Sequence, residues 1–171
     1  MTLRTFKGRS PRVHASCFVE DSAQLVGDVE LGEASSVWFN CVLRGDVHAI
    51  RIGRRTNIQD LSLVHVTGER FGTTIGDDVT VGHHVTLHGC TLGNRILIGM
   101  GAILLDGSSV ADDAMVGAGA LVTPGTHIPS GMLALGSPAR VVRPLNDAER
   151  AFLLTSARNY VRNAADHLAS R

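Results

Sequence analysis

An all-β chain wound as a parallel β-helix and closed by one C-terminal α-helix is the fold this sequence predicts. Three observations predict it: aliphatic residues recur at every sixth position, glycine often follows them, and aromatic residues make up only 4% of the chain. The register runs Val13, Val19, Leu25, Leu31, Val37, Leu43, then Ile52, Ile58, Val64, then Ile75, Val81, Leu87. It continues as Leu92, Ile98, Leu104, Val110, Val116, Val122 and Ile128. A short fixed period marks a solenoid, because one repeat cannot bury its apolar face alone whereas stacked repeats bury a continuous column. Each repeat is then a short strand with an inward aliphatic side chain, followed by a corner of small or polar residues. The 19 glycines suit corners that need positive φ, and a narrow prism leaves little room for rings. A sandwich or barrel also spaces its strands evenly, but the unbroken run from Leu92 to Ile128 argues against one.

The solenoid is expected over residues 1–130. Three repeats per coil is the geometry implied by resemblance to hexapeptide-repeat proteins, and it gives about six coils. Residues 131–145, punctuated by Gly131, Gly136, Pro138 and Pro144, read as a linker. The period then becomes helical over 146–171, with Phe152/Leu153, Ala157, Tyr160/Val161, Ala164 and Leu168 on one stripe. Asn146 is the expected N-cap and Glu149 its capping-box partner. Tyr160, the only tyrosine, reads first as an anchor of that stripe and second as a hydroxyl near an active site.

Lys plus Arg and Asp plus Glu both number 16, so no basic stripe argues for nucleic acid. The start of the chain has no apolar stretch of signal-peptide length, and no run approaches a membrane span. Cys17, Cys41 and Cys90 are scattered without metal-type spacing and read as reduced core or corner residues. A cytoplasmic or otherwise reducing setting is therefore expected. Open coil edges and flat faces also call for self-association.

Three histidines fall at informative places in the repeat. His65 follows Val64 by one residue and His88 follows Leu87 by one. They are three repeats apart, so they stack one coil apart on one side, at the roughly 4.8 Å strand spacing. Two such imidazoles can converge on one ion, with Zn–N bonds of about 2.0–2.1 Å. His83 belongs to the adjacent side and cannot readily reach that ion within its own chain. It can reach an ion on a neighbour packed about a threefold axis, which predicts a homotrimer with each site spanning two copies. Arg44 lies under His65, Asp60 under His83, and Asp46, Asn57 and Gln59 gather nearby. An Arg44–Asp46 pair would satisfy the rule that buried charges are paired. His84 should face away from His83.

The segments WFNCVLRGDVHAIRIGRRTNIQDLSLVHV, TIGDDVTVGHHVTLHGCTLGNRILIGMGAILLDG and VGAGALVTPG closely resemble the gamma-class carbonic anhydrase family. The resemblance covers roughly residues 10 to 145, and its RGD, NIQD, VGH and LHGC blocks together are specific. It implies a left-handed parallel β-helix that forms trimers with a metal at each interface. The implied ligands are His65, His83 and His88; Gln59 and Asn57 match polar residues near the metal-bound solvent, and Arg44, Asp46 and Asp60 match the interface polar set. Two departures stand out. Val47 occupies the place where the archaeal type carries a glutamate, and the insertion VTGERFGTT is short, with Glu69 alone in place of a long acidic loop.

The implied activity is reversible hydration of CO2 to bicarbonate by metal-bound hydroxide, with zinc as the expected metal and Fe(II) or Co(II) compatible with the same ligands. Three histidines and an open position form a catalytic site whose water has a pKa of about 7, a value borrowed from carbonic anhydrases already characterised. Gln59 is placed to orient the nucleophile. Proton exit falls to Glu69, His84 or Tyr160. Two other readings share the prism: a CoA-linked thioesterase or acyltransferase, and a non-catalytic metal-binding trimer.

Overall fold

The computed structural model describes residues 2–170; Met1 and Arg171, the outermost residues of the expected solenoid and helix segments, lie outside that range. The chain is a left-handed parallel β-helix of about seven turns with one helix, Asp147–Ala169, after it. Strand pairing fixes the register. One face stacks Leu3, Leu25, Leu43, Val64, Leu87, Leu104 and Val122. The second stacks Val13, Leu31, Ile52, Ile75, Leu92, Val110 and Ile128. The third stacks Val19, Val37, Ile58, Val81, Ile98, Val116 and Ala134. All but Leu3 and Val13 are buried. Leu3 and Ala134 supply the seventh turn that the sequence reading, at about six, left out. Leu3 stands off the six-residue period from Val13, and Ala134 is too small to mark a core position by its side chain.

Two of these faces belong to one sheet, because the strands Gln24–Leu31 and Val42–Ile52 run round a corner unbroken. Glycine does not carry the corners alone. Leu61, Asp78, His84, Arg95 and Asp113 also take the left-handed backbone, so coil stacking dictates the turn. The glycines that follow the aliphatic residues serve close approach instead: a Cβ on Gly76 would lie 2.4 Å from the carbonyl oxygen of Gly93 on the next coil.

The repeat is interrupted twice, and both interruptions leave the wall. Gly27 pairs with Gly45 and Val29 with Ile50, so Asp46–Ala49 bulge outward opposite Asp28 alone. Between Val64 and Ile75 a short turn is closed by an antiparallel bridge from Thr67 to Phe71.

The expected linker is built. Met132–Gly136 extends the third face and pairs antiparallel with Ala139–Pro144, capping the last coil. The helix then runs back along the third face, against Phe18–Val19, Ser36–Val37, Asn57–Ile58 and Thr80–Val81. Asn146 is its N-cap, and both halves of the capping box with Glu149 form. The buried stripe is narrower than expected: Leu153, Ser156, Ala157 and Ala164 are inside, whereas Phe152 and Leu168 are exposed. A helix lying on a sheet docks through small residues, and larger ones at the edge of the stripe overhang the groove. Among the described residues no helix is long and apolar enough to cross a membrane.

Candidate metal centre

The register that pairs Leu87 with Val64 also pairs His88 with His65. Their rings meet: Nδ1 of His65 lies 3.0 Å from Nε2 of His88. Each ring has its other nitrogen on a carboxylate. His65 Nε2 lies 3.1 Å from Asp46 Oδ1, and His88 Nδ1 lies 2.7 Å from Asp106 Oδ1. The outward bulge delivers Asp46, and Arg44 holds it through an ion pair within the same chain. Asp106 comes from the following coil, two residues past Leu104, and its second oxygen accepts a 2.7 Å hydrogen bond from the Thr67 hydroxyl. Thr67's hydroxyl, ahead of the His88 bond, holds the Asp106 carboxyl below the usual carboxylate range. Burial, against the pull of Asp46, lowers the pKa of His65 and favours its neutral ring.

The proton count defines what this arrangement offers. A neutral imidazole carries one N–H. With those protons donated outward to Asp46 and Asp106, the facing nitrogens present two lone pairs to each other, which is a cradle for a cation. Two nitrogens on one tetrahedral ion stand about 3.3 Å apart at Zn–N distances of about 2.0–2.1 Å. The observed 3.0 Å is within a few tenths of an ångström of that. Carboxylate-backed histidines are the usual second layer of a metal site, so the donor set suits a divalent ion.

His83 stands apart from the pair, as its place in the repeat predicts. Its Nδ1 lies 2.6 Å from Asp60 Oδ2, and Nε2 has no hydrogen-bond partner among the described residues. The side chain is 40% exposed, against 14% for His65. Among the described residues, no three His, Cys, Asp or Glu side chains of the chain enclose one ion. His84 is exposed, and its backbone N–H donates to the carbonyl of Asp60 at the corner.

Gln59 and Asn57 are buried side by side on the third face. Gln59 donates from Nε2 to Asn57 Oδ1 (3.0 Å), and Asn57 donates to Thr80 Oγ1 (3.1 Å), which meets Ser156 Oγ of the helix (3.0 Å). Asn57 is spent within this chain of bonds, while Oε1 of Gln59 has no partner among the described residues. Tyr160 packs edge-on against Trp38 with ring centroids 5.3 Å apart, which makes it an anchor of the helix. It also shares a hollow with Asp60, and burial followed by that carboxylate's charge raises its pKa. Glu69 lines a different cleft with Asp46, Val47, His48 and Lys7. Cys17, Cys41 and Cys90 are free buried thiols; burial pushes Cys41 up to about 11 and Cys90 to about 12.

The sequence reading placed His65, His88, Arg44 and Asp46 together and missed Asp106. The signal was present. LLDG at 104–107 sits one coil beyond LHGC at 87–90, and Gly89 is the residue that makes room: a Cβ there would lie 2.3 Å from Asp106 Oδ1.

Fold and site together define a hexapeptide-repeat protein with a carboxylate-backed histidine pair. No protein-family model matches the chain. A carbonic anhydrase from Geobacillus kaustophilus is 46% identical over 156 residues, covering 91% of this chain and 85% of that protein. Gamma carbonic anhydrase 1, mitochondrial, from Arabidopsis thaliana is 50% identical over 173 residues, covering 98% of this chain. The chain spans only 63% of the plant protein's length. A Bacillus cereus crystal structure, described as a candidate acetyltransferase, superposes with a TM-score of 0.97 at 39% identity, covering 99% of this chain and 98% of that one. The chain belongs to the gamma-class carbonic anhydrase family. These relatives imply a metal cofactor.

Proposed function

We propose that three copies of this chain assemble about a threefold axis. His65 and His88 of one copy and His83 of the next then hold one divalent metal at each seam, where CO2 and bicarbonate interconvert. The observation that carries this reading is the approach of His65 Nδ1 to His88 Nε2, 3.0 Å apart, with each imidazole backed by its own aspartate. His83 is prepared in the same way by Asp60 but has no ion to share within its chain. Exposed Leu61, Leu63, Met100 and Ile103 lie on the two coils that flank the stretch from His83 to His88. Apolar surface of this kind is what a seam between prisms would cover.

A divalent metal in that position supplies a Lewis acid and lowers the pKa of its water to about 7, the value of carbonic anhydrases already characterised. The chain's own groups do the remaining work. Asp46, Asp60 and Asp106 fix the three rings. Gln59, pinned through Nε2, offers Oε1 as an acceptor that orients the attacking oxygen, and Asn57 positions Gln59 rather than touching the reactants. Tyr160 borders Asp60 and the same seam. Glu69 lines the cleft beside Asp46 and offers the released proton a carboxylate on that side. Three buried thiols without a disulfide fit a reducing cytoplasm.

Stopped-flow CO2 hydration with zinc and with anaerobic iron or cobalt tests the reading. A metal-dependent rate above buffer is expected, and its absence at full metal occupancy overturns the CO2 reading in favour of a non-catalytic metal-binding trimer or the CoA-linked reading below. A CoA-linked acyltransferase or thioesterase is favoured by one observation, the Bacillus cereus structure. That reading predicts acetyl-CoA turnover that survives chelation.

A further inference from the structure

We propose that Asp106, anchored by Thr67, is the positioning residue that locks His88 with its Nε2 lone pair toward the metal. The inference deepens the metal reading above and rests on it. An imidazole without a fixed partner divides between two tautomers and rotates about its χ angles; a carboxylate on one nitrogen selects both tautomer and ring plane. Asp106 holds His88 Nδ1 at 2.7 Å with one oxygen and accepts from Thr67 Oγ1 at 2.7 Å with the other, so the carboxylate itself cannot turn. Gly89 clears the space that the carboxylate fills, and Phe71 closes over Gly89 and Gly107. Thr67 and Phe71 are the two ends of the turn that interrupts the repeat. Thr73, just past it, donates to the carbonyl of His65 at 2.6 Å and accepts from the amide of Gly89 at 3.0 Å. The short insertion is therefore a clasp. Thr67 fixes the carboxylate behind His88, and Thr73 joins the coil of His65 to the coil of His88.

The test compares Asp106→Ala, Asp106→Asn and Thr67→Val with the wild type by two measurements. The first is the His88 tautomer in metal-free protein, from long-range 15N–1H correlation spectra. The wild type is expected as the Nδ1–H form, and Asp106→Ala as the other tautomer or a mixture. Asp106→Asn, isosteric and able to donate as well as accept, also mixes the tautomers and decides the matter if the alanine variant does not fold. The second is the Co(II) dissociation constant by chelator competition. It is expected to weaken by about 10–100-fold in Asp106→Ala and by less in Thr67→Val. A folded Asp106 variant that keeps the Nδ1–H tautomer and wild-type Co(II) affinity overturns the proposal. Wild-type protein that binds no Co(II) overturns the metal reading instead, and the metal-free tautomer still decides whether Asp106 sets His88.

Discussion

The run from Leu92 to Ile128 and the stretch from Cys41 to Cys90 are wound on the same prism, yet they are built differently. The first keeps the six-residue period without a break, and its aliphatic column is buried from Leu92 to Ile128. The second breaks the period twice, at Asp46–Ala49 and at Thr67–Phe71, and contains His65, His83, His88, Asp46, Asp60 and Gln59. Regular coils supply a wall at fixed spacing. Departures from regularity push side chains and bonds outward, where they can meet a ligand. Asp106 joins the two regions: it belongs to the regular run and reaches back one coil to His88.

If this division is right, substitutions in the two regions separate chemistry from stability. His65→Ala removes one nitrogen of the cradle and is expected to abolish stoichiometric metal binding while circular dichroism stays that of the wild type. Leu104→Ala, in the regular run and fully buried, is expected to cost about 2–5 kcal/mol in denaturant unfolding through the cavity it leaves. Metal content of the folded fraction should not change. Loss of metal from Leu104→Ala, or global unfolding of His65→Ala, would erase the distinction.

Smaller effects sharpen the picture at the helix. Asn146→Ala removes the cap that accepts from the Glu149 amide and is expected to cost about 1 kcal/mol, seen as a lower Tm with unchanged metal affinity. The smallest effect is electrostatic. The Arg143 guanidinium, then the backbone N–H of Asn146, hold Glu149 down to about 2, from an ordinary 4.5. A carboxyl with a depressed folded-state pKa stabilises above its unfolded value and loses that contribution as pH falls toward the folded one. The Tm advantage of wild type over Glu149→Gln is therefore expected to be constant above about pH 5 and to shrink between about pH 4.5 and 2. Its size is modest because the pair is screened by solvent.

The sequence makes the interior of this fold readable because each buried position repeats: counted as repeats, with three to a coil as the hexapeptide resemblance implies, Val64, Leu87 and Leu104 fall on one face. The same spacing brings His65 over His88 without any reference to contacts. Asp106 escapes that reading because its corner, LLDG, is patterned like a structural corner, and only the void left by Gly89 gives it a role. The pairing of Met132–Gly136 with Ala139–Pro144 is equally hidden, since glycine and proline announce a turn but not the strands around it. Phe152 and Leu168 read as core by helical period, yet the face they would cover is already closed by Ser156, Ala157 and Ala164.

One measurement bears most directly on a site shared between copies. His83→Ala and His65→Ala protein, each inactive and metal-poor alone, are unfolded together, refolded as mixed assemblies and assayed for bound metal and CO2 hydration. A shared site predicts partial recovery of both, because some seams regain His65 and His88 from one copy and His83 from its neighbour. Mixed assemblies that recover neither, although they form as well as the wild type, would contradict it.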